Sequence, residues 1–338
     1  MNAKKKIRVA IIGCGNIGKR HVAVFDSEPN AEIVALCDIN IDKAKNLSET
    51  YGGNIKTFRN YYDIFKIFKN IDLVSIATPH GLHAEMSIAA SKNKCNVLVE
   101  KPMALNIRDC KEMIKNADIN KVKLFVVKQN RYNIPIKVTK DALDEKKLGK
   151  IYMVQCNVMW NRHREYYSDS NWRGTKDLEG SALNTQVSHF IDLLIWWFGD
   201  ILESKSIIKT LHHNIEIEDC GVSAIEFESG VIGSLLWTTS VYNKNYEGSI
   251  TIIGENGTIK IGGKYLNKIE FWDVKSHPLP EDIVFEDKPN NYGKYQGTSS
   301  NHDKLINNVM LKLLNERKHV VEGDEGMKTI IGIENILS

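Results

Sequence analysis

Short apolar runs alternate with amphipathic stretches from the start of the chain to Val127. The runs have the length and composition of buried strands, and they lie at residues 7–12, 33–38, 73–77, 96–99 and 123–127. The stretches between them repeat apolar residues at helical spacing, over residues 17–26, 42–51, 61–68, 83–91 and 108–117. This alternation predicts a doubly wound parallel sheet with helices on both faces, whose ligands bind beyond the carboxyl ends of the strands.

The pattern changes after Val127. Helical spacing recurs over residues 136–146 and 181–198, and two further helices are predicted over residues 303–315 and 326–337. Strand-like runs occupy residues 151–160, 201–211, 220–227, 231–240, 248–254 and 258–261, whereas the polar residues 282–297 predict a surface loop. We therefore expect two domains. Residues 1–127 form a Rossmann domain, and residues 128–338 form an α+β domain with a large, mostly antiparallel open sheet.

A glycine-rich turn follows the first apolar run, and a carboxylate ends the second. In a dinucleotide-binding βαβ unit such glycines permit a tight turn, close approach of the diphosphate and close packing of the helix. The diphosphate lies at the positive end of the helix, and the carboxylate binds the adenosine ribose. The candidate cofactor contacts are Gly13, Gly15, Asn16, Ile17, Gly18 and Asp38. Because Asp38 would repel a 2′-phosphate, the pattern predicts NAD; the alternative is an ordinary βαβ turn.

Composition and charge exclude several classes of protein. The chain has 338 residues, 42% of them hydrophobic, and a net charge of +3 spread over a mixed-sign surface, which argues against nucleic-acid binding. No apolar run is long enough for a membrane span or a signal peptide, so we expect a cytoplasmic protein. The six cysteines are dispersed without metal-ligand spacing, which predicts reduced thiols and no metal site.

Three further motifs carry candidate chemistry. They are Ala77-Thr78-Pro79-His80-Gly81-Leu82-His83, Val99-Glu100-Lys101-Pro102 and Ser188-His189-Phe190-Ile191-Asp192-Leu193-Leu194. Their order and spacing resemble the Gfo/Idh/MocA family of NAD(P)-dependent sugar oxidoreductases, and the resemblance extends over nearly the whole chain. It implies an enzyme that oxidises a CH–OH group, with Lys101 and His189 as its catalytic residues.

The resemblance assigns roles residue by residue. Lys101 corresponds to a lysine that reaches the substrate carbinol and the nicotinamide ribose, and Glu100 helps to hold it there. His189 corresponds to the histidine commonly proposed as the general base, and Arg131 to an arginine near the substrate cleft. The loop that lines the nicotinamide side of the cofactor corresponds to Thr78, Pro79 and His83. Within that motif we expect His80 to face solvent.

The chemistry of these side chains agrees with the resemblance. Oxidising a secondary alcohol requires a proton to leave oxygen while hydride leaves carbon, and a histidine can accept that proton near neutral pH. A neighbouring ammonium stabilises the developing alkoxide. The sequence leaves open whether Lys101 or His189 takes the proton. Each residue also has a simpler interpretation: Lys101 as a solvated lysine at a strand end, and His189 as a satisfied core histidine.

Thr185 departs from the family pattern. Many members carry an aspartate four residues before the histidine, where it would orient the imidazole. A threonine hydroxyl accepts a hydrogen bond but brings no charge, so we expect His189 to be less basic or Lys101 to carry more of the chemistry. Asn184 and Thr185 together are candidate substrate contacts.

The substrate prediction rests on the basic, aromatic loop before the histidine segment. It contains Arg162, Arg164 and Arg173, which could bind a diphosphate or a uronate. With residues 129–132 and 183–186, the loop resembles the subgroup that oxidises UDP-linked N-acetylated amino-sugar uronates at C3 for surface-polysaccharide biosynthesis. An ordinary polar surface loop is the simpler interpretation.

Two other functions remain open from the sequence. One is a dehydrogenase of a free sugar or polyol, of the inositol or glucose type. The other is a sugar sensor that binds NAD without chemistry, against which the presence of both Lys101 and His189 argues. The open sheet has one face free for a partner subunit, so we expect a homodimer or homotetramer that binds small molecules.

Overall fold

The computed structural model describes residues 6–281, 283, 289–291 and 296–338, which form two compact units. The first unit contains the chain up to Val127 together with His302–Ile330. The second contains Lys128–Asn301 and Ile331–Ser338. The break after Val127 is where the hydrophobic pattern changes. The C-terminal segment His302–Ile330, assigned from the sequence to the second domain, belongs to the first unit.

The first unit is built on a six-stranded parallel sheet. Its strands are β1 (Ile7–Ile12), β2 (Ala31–Cys37), β3 (Lys56–Phe58), β4 (Leu73–Ile76), β5 (Asn96–Val99) and β6 (Leu124–Val126), in the order β3-β2-β1-β4-β5-β6. Between them lie α1 (Asn16–Ser27), α2 (Ile41–Thr50), α3 (Tyr61–Ile67), α4 (His83–Lys92) and α5 (Ile107–Asn120). The predicted Rossmann-type sheet is confirmed, and only the short edge strand β3 was not predicted.

Asparagine side chains explain where several of these helices begin. Asn40, Asn60 and Asn106 each precede a helix and accept a hydrogen bond from a backbone N–H of its first turn. Such caps satisfy amides that have no partner within the helix. The amino end of α1 differs, because Gly15 precedes it and no side chain caps it.

The second unit is built on a seven-stranded sheet in the order β13-β12-β11-β7-β10-β9-β8. Its strands are β7 (Ile151–Met159), β8 (Ile201–Lys209), β9 (Cys220–Phe227), β10 (Ile232–Thr238), β11 (Glu247–Gly254), β12 (Gly257–Gly262) and β13 (Lys268–Val274). Every neighbouring pair is antiparallel except β7 with β10. The predicted mostly antiparallel sheet is confirmed, with β13 as an additional strand.

Helices of the second unit carry its candidate chemistry. They are α6 (Ile134–Asp144), α7 (Arg164–Ser168) and α8 (Ser188–Phe198). A π-helical turn over Leu183–Val187 leads directly into α8, so the predicted amphipathic segment contains two kinds of helix. The polar loop predicted over residues 282–297 includes two short paired strands, β14 (Pro289–Asn291) and the start of β15 (Gln296–Ser299). Positions 282, 284–288 and 292–295 of that prediction lie outside the described residues.

Two helices end the chain, α9 (His302–Leu313) and α10 (Gly323–Leu337). In the first unit α9 packs on α1. Within the part of the chain that the structure describes, no helix is long and apolar enough to cross a membrane.

Candidate active site

The glycines of the turn after β1 are required for different reasons, some for packing within the protein and one for a ligand. Gly13 has φ +97°, and a Cβ on it would lie 2.4 Å from the Ala77 carbonyl oxygen. A Cβ on Gly18 would lie 1.8 Å from the Gly13 carbonyl oxygen. The protein's own packing therefore requires glycine at both positions.

Gly15 has no such requirement. Its φ of −73° suits any residue, and a Cβ on it would meet no atom within 4 Å. A missing side chain at this open position, before an uncapped helix, fits the close approach of a phosphate to the backbone. Asn16 and Ile17, the first residues of α1, lie at the same helix end.

Asp38 lies beside this turn at the end of β2. Its Oδ2 accepts a hydrogen bond from the Cys14 backbone N–H (2.9 Å), and its Oδ1 accepts one from the Asn40 N–H (2.9 Å). The carboxylate is half-buried and held in place by these bonds. Its remaining lone pairs fit the hydroxyls of a ribose, so the donor set suits the NAD predicted from the sequence.

His83 links the loops after β4 and β5. Its Nδ1 lies 2.8 Å from the Pro102 carbonyl oxygen, and its Nε2 lies 3.0 Å from the Thr78 carbonyl oxygen. Burial lowers the pKa of His83, although both carbonyls oppose the shift. With a fully buried ring, His83 acts on a cofactor only by holding the Thr78–Pro79 and Pro102 segments. His80, expected to face solvent, is 7% exposed and packs against the His83 ring, so that expectation is wrong.

Lys101 lies two residues after the end of β5 and is half-buried. Its backbone N–H donates to Glu100 Oε2 at 3.1 Å, and the Glu100 N–H donates to the Ile76 carbonyl oxygen at 3.0 Å. Glu100 is 6% exposed, and its Oε1 lies 3.0 Å from His21 Nε2 and 3.1 Å from His302 Nε2. The strand end that presents Lys101 is therefore fixed by a buried polar cluster.

His189 lies in the first turn of α8 and is 3% exposed. Its Nε2 lies 3.2 Å from Gln129 Nε2 in a 3₁₀ turn after β6. Four residues earlier, the Thr185 hydroxyl hydrogen-bonds the buried Glu179 carboxylate. Burial raises the pKa of Glu179, and its hydrogen bonds do not cancel that effect. Thr185 thus connects to a carboxyl group that the sequence did not reveal.

Arg131 forms a buried ion cluster in the second unit. Its Nε and Nη2 donate to the two oxygens of Asp192 at 2.8 Å and 2.9 Å, and Lys128 Nζ lies 3.1 Å from Asp192 Oδ1. The Arg131 guanidinium also stacks over Trp196 at 4.7 Å. Burial raises the pKa of Asp192, but Arg131 and Lys128 outweigh it and hold the pKa below its ordinary value. The guanidinium is forked onto Asp192, and its contact with substrate stays a prediction.

Buried polar atoms without protein partners lie on the segments beside His189. In the part of the chain that is described, both amide atoms of Asn130, the Asn184 Nδ2 and the Ser188 Oγ have no hydrogen-bond partner. Each of these side chains is 1–2% exposed. Native proteins rarely leave such atoms unsatisfied, so each indicates water or a polar ligand. A polyhydroxylated molecule fits this set of donors and acceptors.

The arginines of the basic loop have different environments. Arg162 is 3% exposed and donates to the Asn161 carbonyl oxygen (2.7 Å) and to Gln186 Oε1. Arg173 is half-buried and stacks on Tyr166 at 3.9 Å. Arg164, at the start of α7, is exposed. Arg162 therefore serves the loop's own structure, and the sequence could not distinguish these roles.

Comparison with known proteins now decides the family. Residues 7–128 match the model of an oxidoreductase family with an NAD-binding Rossmann fold, and residues 136–260 match the GFO/IDH/MocA C-terminal domain. The crystal structure of the WlbA dehydrogenase from Bordetella pertussis, in complex with NADH and UDP-GlcNAcA, is 35% identical. It has a TM-score of 0.88 and covers 98% of this chain and 96% of that chain. The chain belongs to the Gfo/Idh/MocA oxidoreductase family.

Other members of this family give a consistent picture. The WlbA dehydrogenase from Chromobacterium violaceum, also in complex with NADH and UDP-GlcNAcA, is 36% identical with a TM-score of 0.90. It covers 99% of this chain and 94% of that chain. Glucose-6-phosphate 3-dehydrogenase of Bacillus subtilis is 23% identical over 89% of this chain and 87% of its own length. The enzyme class, an NAD-dependent oxidoreductase of CH–OH groups in sugars, and the cofactor are confirmed.

Several polar groups of this family member were missed by sequence reasoning. His21, His302 and Ser75 reach Glu100 or its partners from other segments, and Glu179 reaches Thr185. His21 lies three residues after Gly18 on the predicted first helix. This position near the glycine turn was the sequence feature that could have pointed to His21. The side chains of His21, Glu100 and His302 place their ligand-type atoms within 4.8 Å of one another, although no sequence spacing indicates a cluster.

Proposed function

We propose that this chain oxidises the C3 hydroxyl of a UDP-linked N-acetylated amino-sugar uronate in surface-polysaccharide biosynthesis. The observation that carries the proposal is the likeness, over nearly the full length, to two dehydrogenases crystallised with NADH and UDP-GlcNAcA. The buried, unsatisfied amides of Asn130 and Asn184 support a substrate rich in hydroxyl and amide groups.

The proposed chemistry divides between two residues. NAD, when bound, accepts the hydride that leaves the carbinol carbon. The Lys101 ammonium stabilises the negative charge that develops on the carbinol oxygen. His189 accepts the proton, while Gln129 contacts its Nε2 and orients the ring. On the same helix, Asp192 pairs with Lys128 and Arg131 in a buried ion cluster that fixes this helix to the segment of Gln129.

Arginines that face solvent are the proposed contacts of the diphosphate or uronate. Arg164 is exposed on α7, and Arg173 presents a guanidinium stacked on Tyr166. Planar guanidinium groups bind phosphate and carboxylate oxygens in pairs. Arg162 donates to Asn161 and Gln186 and thereby stabilises the structure of the loop.

A substrate comparison tests this function. NADH formation is measured with UDP-N-acetylglucosaminuronate, UDP-N-acetylglucosamine, glucose 6-phosphate and myo-inositol at equal concentrations. We expect the UDP-linked uronate to be the best substrate, with kcat/KM for UDP-N-acetylglucosamine lower by roughly a hundredfold because the carboxylate contact is lost, and no turnover of glucose 6-phosphate or myo-inositol. Turnover of only the free or phosphorylated sugars would refute the substrate assignment.

The catalytic roles are tested separately. Lys101→Ala should abolish hydride transfer while the protein still binds NAD, because the alanine removes the ammonium that stabilises the alkoxide and leaves the glycine turn and Asp38 unchanged. Lys66→Ala, at an exposed lysine, is the matched control. A Lys101→Ala variant with undiminished turnover would remove this residue from the mechanism. Retained NAD binding with no turnover in the unmodified protein would favour the sensor alternative.

A second candidate substrate class has its own support. The curated relatives include glucose-6-phosphate 3-dehydrogenase of Bacillus subtilis and an inositol 2-dehydrogenase/D-chiro-inositol 3-dehydrogenase of Shouchella clausii, 23% and 25% identical. They favour a free or singly phosphorylated sugar or polyol. The same substrate comparison distinguishes this candidate from the first.

The open sheet supports an oligomer of this chain. Backbone register places Ile232, Met153 and Ile253 side by side across β10, β7 and β11, and they are 49%, 44% and 38% exposed. Ile207 and Phe271 add exposed apolar surface on β8 and β13. Apolar patches of this kind mark protein interfaces, so we propose a homodimer or homotetramer through this sheet. Light scattering that finds only a monomer at micromolar concentration would contradict this.

A further inference from the structure

A buried polar cluster lies directly behind the strand end that presents Lys101. Glu100 accepts hydrogen bonds from His21 of α1 and His302 of α9 on Oε1, and from the Lys101 backbone N–H on Oε2. His21 and His302 are 0% and 1% exposed. The three side chains come from segments far apart in the chain, since 202 residues separate Glu100 from His302.

The hydrogen-bond pattern assigns roles to the groups around Glu100. An ionised carboxylate only accepts, so both histidines donate through Nε2–H. His21 Nδ1 lies 2.7 Å from Ser75 Oγ, which ties this ring to β4. His302 Nδ1 has no partner among the described residues, so a second proton on this ring would lack an acceptor. His302 is therefore neutral and donates to an ionised Glu100.

Other titratable groups act on this cluster from the surrounding elements. Among the described residues, Arg20 on α1 acts on His302, and His83 on α4 interacts with Glu100 and with the adjacent Lys101. Burial raises the pKa of Glu100, but the bonds from His21 and His302 outweigh it and hold the pKa well below its usual range. Burial lowers the pKa of His302 despite its bond to Glu100. Glu100 thus keeps its charge because two imidazole groups and a backbone N–H donate to it.

The geometry points to His21 and His302 as positioning residues that hold the Glu100 carboxylate ionised and oriented, and through it fix the backbone from which Lys101 reaches the substrate. This inference rests on the proposed role of Lys101. Glu100 anchors both peptide groups at the end of β5, through its own N–H to Ile76 and through its carboxylate to the Lys101 N–H. Removing one donor leaves Oε1 undersatisfied and allows the carboxylate to turn away from that N–H.

The test compares His302→Phe, which keeps a ring but removes the donor, with His302→Gln, which keeps a side-chain N–H. We expect His302→Phe to lower kcat on the order of tenfold, since small misplacements of a catalytic group are costly. NAD affinity and substrate KM should change by less than about threefold, because His302 is proposed to act through Glu100 without touching either ligand. His302→Gln should restore most of the rate. His319→Gln, at an exposed histidine paired with Glu325, is the matched control.

The pH profile distinguishes positioning from simple packing. With one donor lost, the pKa of Glu100 rises, so the acid limb of the kcat profile should move to higher pH in His302→Phe. If that variant does not fold, Ser75→Ala loosens His21 from the opposite side and should shift the same limb in the same direction. An unshifted acid limb in folded variants would overturn the inference.

Two results would distinguish failure of the positioning role from failure of the proposed role of Lys101. An active Lys101→Ala enzyme would refute the proposed catalytic lysine whatever the histidine variants do. Normal loss of activity in Lys101→Ala, combined with wild-type kinetics in His302→Phe, would refute only the positioning role. Stoichiometric zinc that survives dialysis against a chelator and disappears in His302→Gln would replace the hydrogen-bonded cluster with a metal centre.

Discussion

Two buried carboxylates support the two candidate catalytic residues by different means. Behind Lys101, Glu100 accepts hydrogen bonds from two buried histidines and a backbone N–H. On the helix of His189, Asp192 lies between Arg131 and Lys128, and that cluster carries one positive charge. Both arrangements hold the carboxylate pKa low, one with hydrogen bonds and the other with cations.

The difference lies in what each carboxylate meets. Glu100 meets hydrogen-bond donors beside the residue proposed to act as an ammonium, whereas Asp192 meets two cations on the helix of the residue proposed to act as the base. The two clusters should also differ in what breaks when the carboxylate is lost. Removing Asp192 takes the carboxylate away from two buried cations, while removing Glu100 takes an acceptor away from imidazole and backbone donors.

The largest expected effect is on stability at the cationic cluster. Asp192→Asn should lower the free energy of unfolding by about 3–5 kcal/mol, the usual cost of breaking a buried ion pair. Glu100→Gln should cost less, on the order of 1–2 kcal/mol, because Glu100 is held by hydrogen-bond donors and not by two cations. Urea denaturation at neutral pH measures both, with Asp63→Asn at an exposed ion pair as control. Equal decreases in the free energy of unfolding for Asp192→Asn and Glu100→Gln would contradict the proposed difference between the two clusters.

Glu218 provides a buried carboxyl group whose hydrogen bonds do not outweigh the cost of burial. It is 8% exposed, and burial raises its pKa to about 7, although backbone hydrogen bonds from Leu183 and Ala182 oppose the shift. A carboxyl whose pKa is raised on folding stabilises the protein at low pH, and that stability is lost as pH rises through about 7. Glu218→Gln should therefore match the parent protein near pH 5.

At pH 8 the Glu218→Gln variant should be more stable than the parent by on the order of 2 kcal/mol, because it carries no buried charge. Thermal or urea unfolding across this pH range measures the difference. Glu49→Gln, at an exposed glutamate, should show no pH-dependent gain. An equal gain for Glu218→Gln at both pH values would show that charge is not the cause.

The smallest expected effect on stability lies outside both clusters, at Gly15. Gly15→Ala adds a methyl group in open space and should change the free energy of unfolding by less than about 0.5 kcal/mol. It should weaken NAD binding roughly tenfold or more, a cost of about 1.4 kcal/mol, by obstructing the diphosphate. Gly18→Ala, whose Cβ would meet the Gly13 carbonyl oxygen, should destabilise the fold itself. Calorimetry that finds unchanged NAD affinity in Gly15→Ala would remove this turn from the cofactor site.

Local pattern was sufficient for much of this protein. The spacing of apolar residues predicted the alternation in the first unit and most strands of the second. A helix or strand that packs on one side buries residues at the period of its own backbone, so the signal lies within each segment. The glycine turn with Asp38 predicted the cofactor, since all its parts lie within one βαβ unit. Lys101 and His189 were found as motifs within single segments.

Tertiary structure alone decided which polar groups meet and what charge they carry. The contacts of Glu100 with His302, of Arg131 with Asp192 and of Thr185 with Glu179 join positions that no periodicity relates. Whether a buried carboxyl is ionised, as in Asp192, or tends to be protonated, as in Glu218, depends on the donors brought to it in space. Solvation and pairing are properties of the folded environment, so the sequence names the groups while the fold sets their chemistry.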